Sequence, residues 1–289
     1  MKSKLIFMAA LLCVTLLVPL SLFGQSRDFE MDGTVLVGYN GNAANVTIPA
    51  GVTAIGDNVF RSNTSLTSVT IPSSVISIGE DAFASCSSLI SINVNSQNSA
   101  YSSVEGILFN KNRTILMLYP QGKQDRSYII PSSVISIGKF AFCGFNSLTS
   151  ITIPLSVISI EDGAFAFCNN LKSVTIPSSV TSIGEGIFAY CSSLTSVTIP
   201  SSVTAIGNGA FYYCTNLVSV TIPAGITSIG NEAFAYCNSL TSVTIPTSVT
   251  SIGDMAFNEC VSLRTVTVSR KTTIGRDAFH YTTQISYSD

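Results

Sequence analysis

The dipeptide Ile-Pro returns every 23 residues, and that period constrains the fold more than any other feature of the chain. It places Pro131, Pro154, Pro177, Pro200, Pro223 and Pro246 in one series, and Pro49 and Pro72 share the spacing. Self-similarity on this scale marks a repeat architecture. One full unit runs from Val197 to Ser219; eight such units cover 46–91 and 128–265, and a ninth, degraded one covers 266–289. Within a unit the apolar positions are fixed at Val197, Ile199, Val203, Ile206, Phe211, Cys214 and Leu217. Val197 and Ile199 alternate with Thr198, the period of a strand with one face buried. Pro200 ends that strand because it has no amide to give a ladder. Ile206-Gly207 reads as a second short extended piece, and 208–213 is long enough for about one helical turn.

No such unit can fold alone. Its few apolar side chains cannot offset the roughly 1–2 kcal/mol of backbone entropy lost at each ordered residue. Stacked in register, each unit buries its apolar set between its neighbours. At about 4.8 Å per rung, some nine or ten rungs make a rod or arc roughly 45–50 Å long. The expected architecture is a mainly β solenoid. One parallel sheet of short strands runs along it, with short helical turns and extended pieces on the opposite side.

The pattern Leu-x-x-Val-x-Ile-Pro-x-x-Val-x-x-Ile-Gly-x-x-Ala-Phe-x-x-Cys-x-x-Leu resembles the bacterial BspA-like leucine-rich repeats, over nearly all of the chain beyond the first segment. The resemblance implies a leucine-rich-repeat solenoid on a cell-surface or secreted protein, with adhesion to host or neighbouring cells as the associated role. It also implies that the strand face is concave and is the usual contact surface, and that hairpins can interrupt the repeats.

The first segment stands apart from the repeat. Lys2 and Lys4 precede an almost wholly apolar run over 5–23. Residues 1–24 read as a secretory signal peptide cut near Gly24, which places the protein outside the cell. The alternative is an uncleaved membrane anchor, since the run is nearly long enough to span; any membrane contact would then come through this segment alone. Charged residues make up only 10% of the chain, against roughly 25% in ordinary globular proteins. Beyond residue 24 there remain 12 Lys and Arg against 16 Asp and Glu. That balance argues against nucleic acid, which requires a basic footprint.

A solenoid needs covered ends. Residues 25–45, with Thr34–Tyr39 as a short strand and Asn40-Gly41 as a turn, read as an N-terminal cap; 266–289, where Ile-Pro becomes Val268-Ser269, reads as a C-terminal cap. Between them an insertion at about 92–127 interrupts the period. Gly106–Phe109 and Thr114–Tyr119 flank Asn110–Arg113 and read as a β-hairpin. It is either an irregular rung closing a break in the stack or a protruding element that contacts a partner through Lys111 and Arg113.

Chemistry that would make the chain an enzyme is not legible. Cys86, Cys168, Cys191, Cys214, Cys237 and Cys260 occupy one repeat position, held by Asn63 in the first unit. In-register cysteines point in parallel, a poor geometry for a disulfide, so buried reduced thiols are expected; Cys143, two residues early, is the one expected to differ in exposure. No cysteine cluster with a histidine companion suggests zinc, and no other metal or cofactor is implied. The single histidine, His280, is expected to be a solvated residue of the terminal cap. Asp81, Glu185, Glu232 and Asp254 are expected to offset the charge at the start of the helical turns.

What remains is a face. Outward strand positions line up as Thr67, Thr70, Thr152, Lys172, Thr175, Thr198, Thr221, Thr244 and Arg264, a hydroxyl ladder with few charges. A second, aromatic surface is Tyr190, Tyr212, Tyr213 and Tyr236. The leading reading is a binding protein for a protein partner. The alternatives are a passive structural spacer or coat component, and a regular Ser/Thr array that binds glycan or ice.

Overall fold

The computed structural model describes residues 27–288. The expected signal segment lies outside the described residues. Among them, no helix is long and apolar enough to cross a membrane.

The rungs stack as the period requires. Ser127–Ile129, Ser150–Thr152, Ser173–Thr175 and Ser196–Thr198 form one parallel sheet, and Ser219–Thr221 pairs with Ser242–Thr244 one full period later, residue for residue. At the N-terminal end Asn45–Thr47, Ser68–Ile71 and Ser91–Val94 do the same. The Ile-Gly pieces form a second parallel stack, as in Ala205–Ile206, Ser228–Ile229, Ser251–Ile252 and Thr273–Ile274. Valine and isoleucine on the inner face of each strand are buried while the intervening threonine is exposed, which is the burial alternation of a half-covered strand.

The described residues contain no helix; the stretch expected to make a helical turn is a run of tight turns instead. Two columns of residues with left-handed backbone cause this. One holds Gly163, Gly186, Gly209 and Glu232; the other holds Phe167, Tyr190, Tyr213 and Tyr236. A left-handed residue twice per rung cannot propagate a right-handed helix. The hydrogen bonds show what is gained. The amides of Gly186, Phe188 and Tyr190 donate to Asn208, Ala210 and Tyr212 of the next rung at 2.7–2.9 Å, while those of Ala189 and Cys191 close turns within their own rung. A helix would direct every amide along its own axis and leave none for the neighbour.

The core is a column of rings. Tyr119, Phe142, Phe165, Phe188, Phe211, Phe234, Phe257 and Phe279 stack with centroids 5.1–5.5 Å apart. Offset parallel rings at this spacing add to the burial of their area. Phe60 and Phe83 continue the column on the N-terminal side of the insertion at 5.3 Å, but the apolar core there is a separate cluster.

The insertion folds as a three-stranded antiparallel meander, Tyr101–Val104, Ile107–Asn110 and Ile115–Leu118. Its last strand then pairs in parallel with Ser136–Ile137, so it takes the place of one rung in the second stack. Ile107, Leu108 and Phe109 are buried between the two core clusters. Asn98, fully buried, fastens the start of the meander. Its amide nitrogen donates to the carbonyls of Pro72 and Val75 at 2.8 Å, and its oxygen accepts from the amides of Ala100 and Tyr101. At the chain's beginning Phe29–Asp32 and Val35–Tyr39 form a hairpin laid on the first Ile-Gly piece. At the other end Gln284–Ser288 pairs with Thr265–Ser269 along five residues.

Candidate binding face

The outward strand positions form three columns across the sheet. In the first, at the entry to each strand, Thr67, Thr149, Thr195 and Thr241 turn their hydroxyls back to the carbonyls of Ala44, Arg126, Lys172 and Val218, one rung earlier. These threonines stitch the ladder, so Thr67 serves the stack and is half-buried. In the third column Thr152, Thr175, Thr198, Thr221 and Thr244 are exposed. Among the described residues their hydroxyls have no intramolecular partner, unlike those of the first column. Thr70 belongs to the same column and is half-buried. Lys172 and Arg264 are exposed in the first column.

Lys111 and Arg113 sit on the meander, lining a shallow depression with Val94 and Asn95 at the end of the Ser91–Val94 strand. Lys111 donates through Nζ to the backbone carbonyls of Ser96 and Asn98, so its charge braces the loop it sits on. Arg113 is exposed on a left-handed turn. The aromatic surface is a ladder: Phe167, Tyr190, Tyr213 and Tyr236 stack at 4.3–5.1 Å with planes within 18°. Ring covers ring, so the column offers edges and hydroxyls rather than open faces.

The repeat now has both its period and its geometry. A sequence profile described as BspA type leucine rich repeat region matches in six copies, over residues 38–116, 121–238 and 181–288. The chain belongs to the BspA-type leucine-rich-repeat family. A solved leucine-rich repeat protein from Eubacterium ventriosum is similar at 26% identity, with 85% of this chain and 87% of that one covered and a TM-score of 0.65. The pneumococcal vaccine antigen PcpA shares the fold at 21% identity, covering 86% of this chain and 64% of that one, with a TM-score of 0.60. No curated protein sequence matches the chain.

In this BspA-type stack the cysteine column is structural. The Sγ atoms of Cys86, Cys168, Cys191, Cys214, Cys237 and Cys260 donate to phenylalanine carbonyls of the preceding rung at 2.9–3.3 Å. All six are buried free thiols, and Cys143 is the half-buried exception. Burial pushes the Cys86 thiol up to about 11 and those of Cys191 and Cys260 up to about 12, because the thiolate would lose its water. Nucleophilic chemistry needs the thiolate, so these thiols are inert in the fold. Among the described residues no group of three or more His, Cys, Asp or Glu side chains could hold a metal ion.

Two expectations need correction. His280 is not solvated. The last turn folds back through the bond from the Thr283 amide to the His280 carbonyl, leaving the residue 7% exposed, its ring against Tyr281 and hydrogen-bonded to Thr282 Oγ1 at 2.8 Å. The recurring carboxylates do not offset helix charge, since there is no helix to offset. Asp57, Asp162 and Asp254, interchangeably with Asn208 and Asn231, accept the amide of the next rung at 2.7–2.9 Å. Asp81 and Glu232 occupy left-handed positions. Three residues of the strand face were not singled out from the sequence as contact positions: Arg126, Ile129 and Leu155. Their signal was a departure from the consensus at outward positions, which aligning the units exposes.

Proposed function

We propose that this BspA-type protein is an exported, cell-surface or secreted binding protein that meets a protein partner through its strand face, and that it is not an enzyme. The observation that supports this reading is the row Thr152, Thr175, Thr198, Thr221 and Thr244, exposed in register and without intramolecular partners. A face of unspent donors and acceptors on a rigid backbone suits recognition, because little side-chain entropy is lost when short hydroxyl side chains are fixed. Export rests on the N-terminal segment, and adhesion to host or neighbouring cells rests on the family. The test is capture from host and cell-envelope extracts by the mature chain. Saturable capture, lost in a Thr175→Glu/Thr198→Glu/Thr221→Glu variant, is expected.

A spacer or coat role is the second reading. It draws on the first-column threonines, whose hydroxyls are consumed by the ladder itself. Capture of nothing saturable would favour it. A Ser/Thr array for glycan or ice fits less well, since Lys172 and Arg264 put charges in the first column and Ile129 stands at the head of the threonine column; an ice- or glycan-binding assay addresses it.

A further inference from the structure

The strand face has a charge the whole molecule does not. None of its three outward columns contains an aspartate or glutamate, while the chain as a whole has 16 acidic residues against 14 basic ones. The cations on the face are Arg126, Lys172 and Arg264, all exposed in the first column. Arg126 and Lys172 stand two rungs apart, roughly 10 Å, with Thr149 between them bonded to the Arg126 carbonyl. No carboxylate among the described residues pairs with either. The nearest in sequence, Asp125, is taken by the Tyr119 hydroxyl at 2.5 Å and by Lys123 at 3.6 Å.

The opposite edge of the same rungs is apolar. Ile129 stands in the threonine column, paired with Thr152 one rung on, and is 72% exposed. Leu155 occupies a position held by serine, alanine or threonine in other units and is 71% exposed. Leu155 lines an open, shallow groove of about 510 Å³ together with Ile153, Ile176, Pro177 and Pro200. Neither Ile129 nor Leu155 gains anything for the fold by being so exposed, and the consensus residue at each position would be more soluble. The first column also departs from the repeat at Ile90, Val218 and Arg264, but only on the rungs from Arg126 to Lys172 do cationic departures on one edge meet exposed apolar departures on the other.

We infer that the rungs from Arg126 to Pro200 dock an extended acidic polypeptide segment. Its carboxylates lie against Arg126 and Lys172, its backbone crosses the serine and threonine hydroxyls, and a bulky apolar side chain enters the groove at Leu155. Along a rung the first column lies three residues before the column of Ile129, roughly 10 Å, and six before the position of Leu155, a span that a short extended segment covers. Charge complementarity sets the sign of the partner. The apolar edge sets its class, since a sugar chain has no side chain for the groove. A dense polyanion such as nucleic acid is opposed by the acidic residues on the rest of the surface.

This inference rests on the strand face being the contact surface. Its test is selection of a displayed library of random peptides on the mature chain, with binding of the enriched peptides then measured to variants. Enriched peptides combining carboxylates with leucine, isoleucine or phenylalanine are expected. Their affinity should fall about tenfold or more in Arg126→Glu/Lys172→Glu and again in Ile129→Thr/Leu155→Ser, but stay unchanged in the turn-side control Arg276→Glu. Every substitution is at an exposed position, and the second pair restores consensus residue types, so folding is preserved. Enrichment of basic or uncharged peptides, no enrichment above background, or undiminished binding to both double variants overturns the inference. Binding of a sulfated polysaccharide alone overturns its polypeptide part. A protein captured from extracts that still binds both double variants overturns this docking site while leaving the binding role intact; saturable capture of nothing removes the role itself.

Discussion

Gly253 shows how closely successive rungs approach. A Cβ there would lie 2.5 Å from the amide nitrogen of Asn231 and 2.7 Å from the carbonyl carbon of Gly230. Backbone cannot retreat the way a side-chain tip can, so Gly253→Ala should cost about 1–3 kcal/mol, read as a lower urea midpoint. The cysteine column yields a prediction with a sign. Each buried thiol has its pKa raised above the ordinary 9.0, to about 12 for Cys191. The protonated form is favoured by the fold, so the associated stability is complete below pH 9.0 and is lost as pH rises toward about 12. Every tenfold change in a thiol's proton affinity corresponds to about 1.4 kcal/mol. Urea midpoints followed through that window should decline, and Cys191→Ala should decline less; an equal decline in both would assign the effect to other groups. The cysteine column was legible because a 23-residue recurrence needs no structure to be seen. The burial of His280 was not, because it depends on how the terminal turn folds back, which no other rung specifies.

Among the elements, the strands were legible and the turns were not. Val-Thr-Ile before a proline fixes both the strand and the face it buries. The turn segment mixes glycine with glutamate, tyrosine and phenylalanine at the same two columns, and left-handed backbone at Tyr190 or Glu232 leaves no composition signal. The three glycines at 163, 186 and 209 were the available clue. The meander was visible as a hairpin, but its attachment was hidden in one residue. Asn98 satisfies two carbonyls and two amides at once. Asn98→Leu leaves those groups buried without partners and should cost about 2–3 kcal/mol. Hydrogen exchange at 107–109 should speed up by more than it does in the rungs beyond Phe165; uniform acceleration would contradict a local fastening role.

At the scale of the whole molecule, each rung touches only its neighbours. The two core clusters meet at the meander, and the ring column is continuous from Tyr119 to Phe279. Stability in such an array is a sum over rungs and their interfaces, and the length of the stack is adjustable while its pitch is not. The most direct measurement is a matched pair of deletions: residues 201–223, one full 23-residue period, and residues 201–211, about half of one. Stacking predicts that loss of the full period leaves a folded β protein with a cooperative urea transition and a slightly smaller dependence on denaturant, whereas loss of half a period, which puts Phe, Cys and Ile-Pro out of register, leaves it unfolded or aggregated. Equal disruption by both deletions would contradict the rung as the unit of the fold.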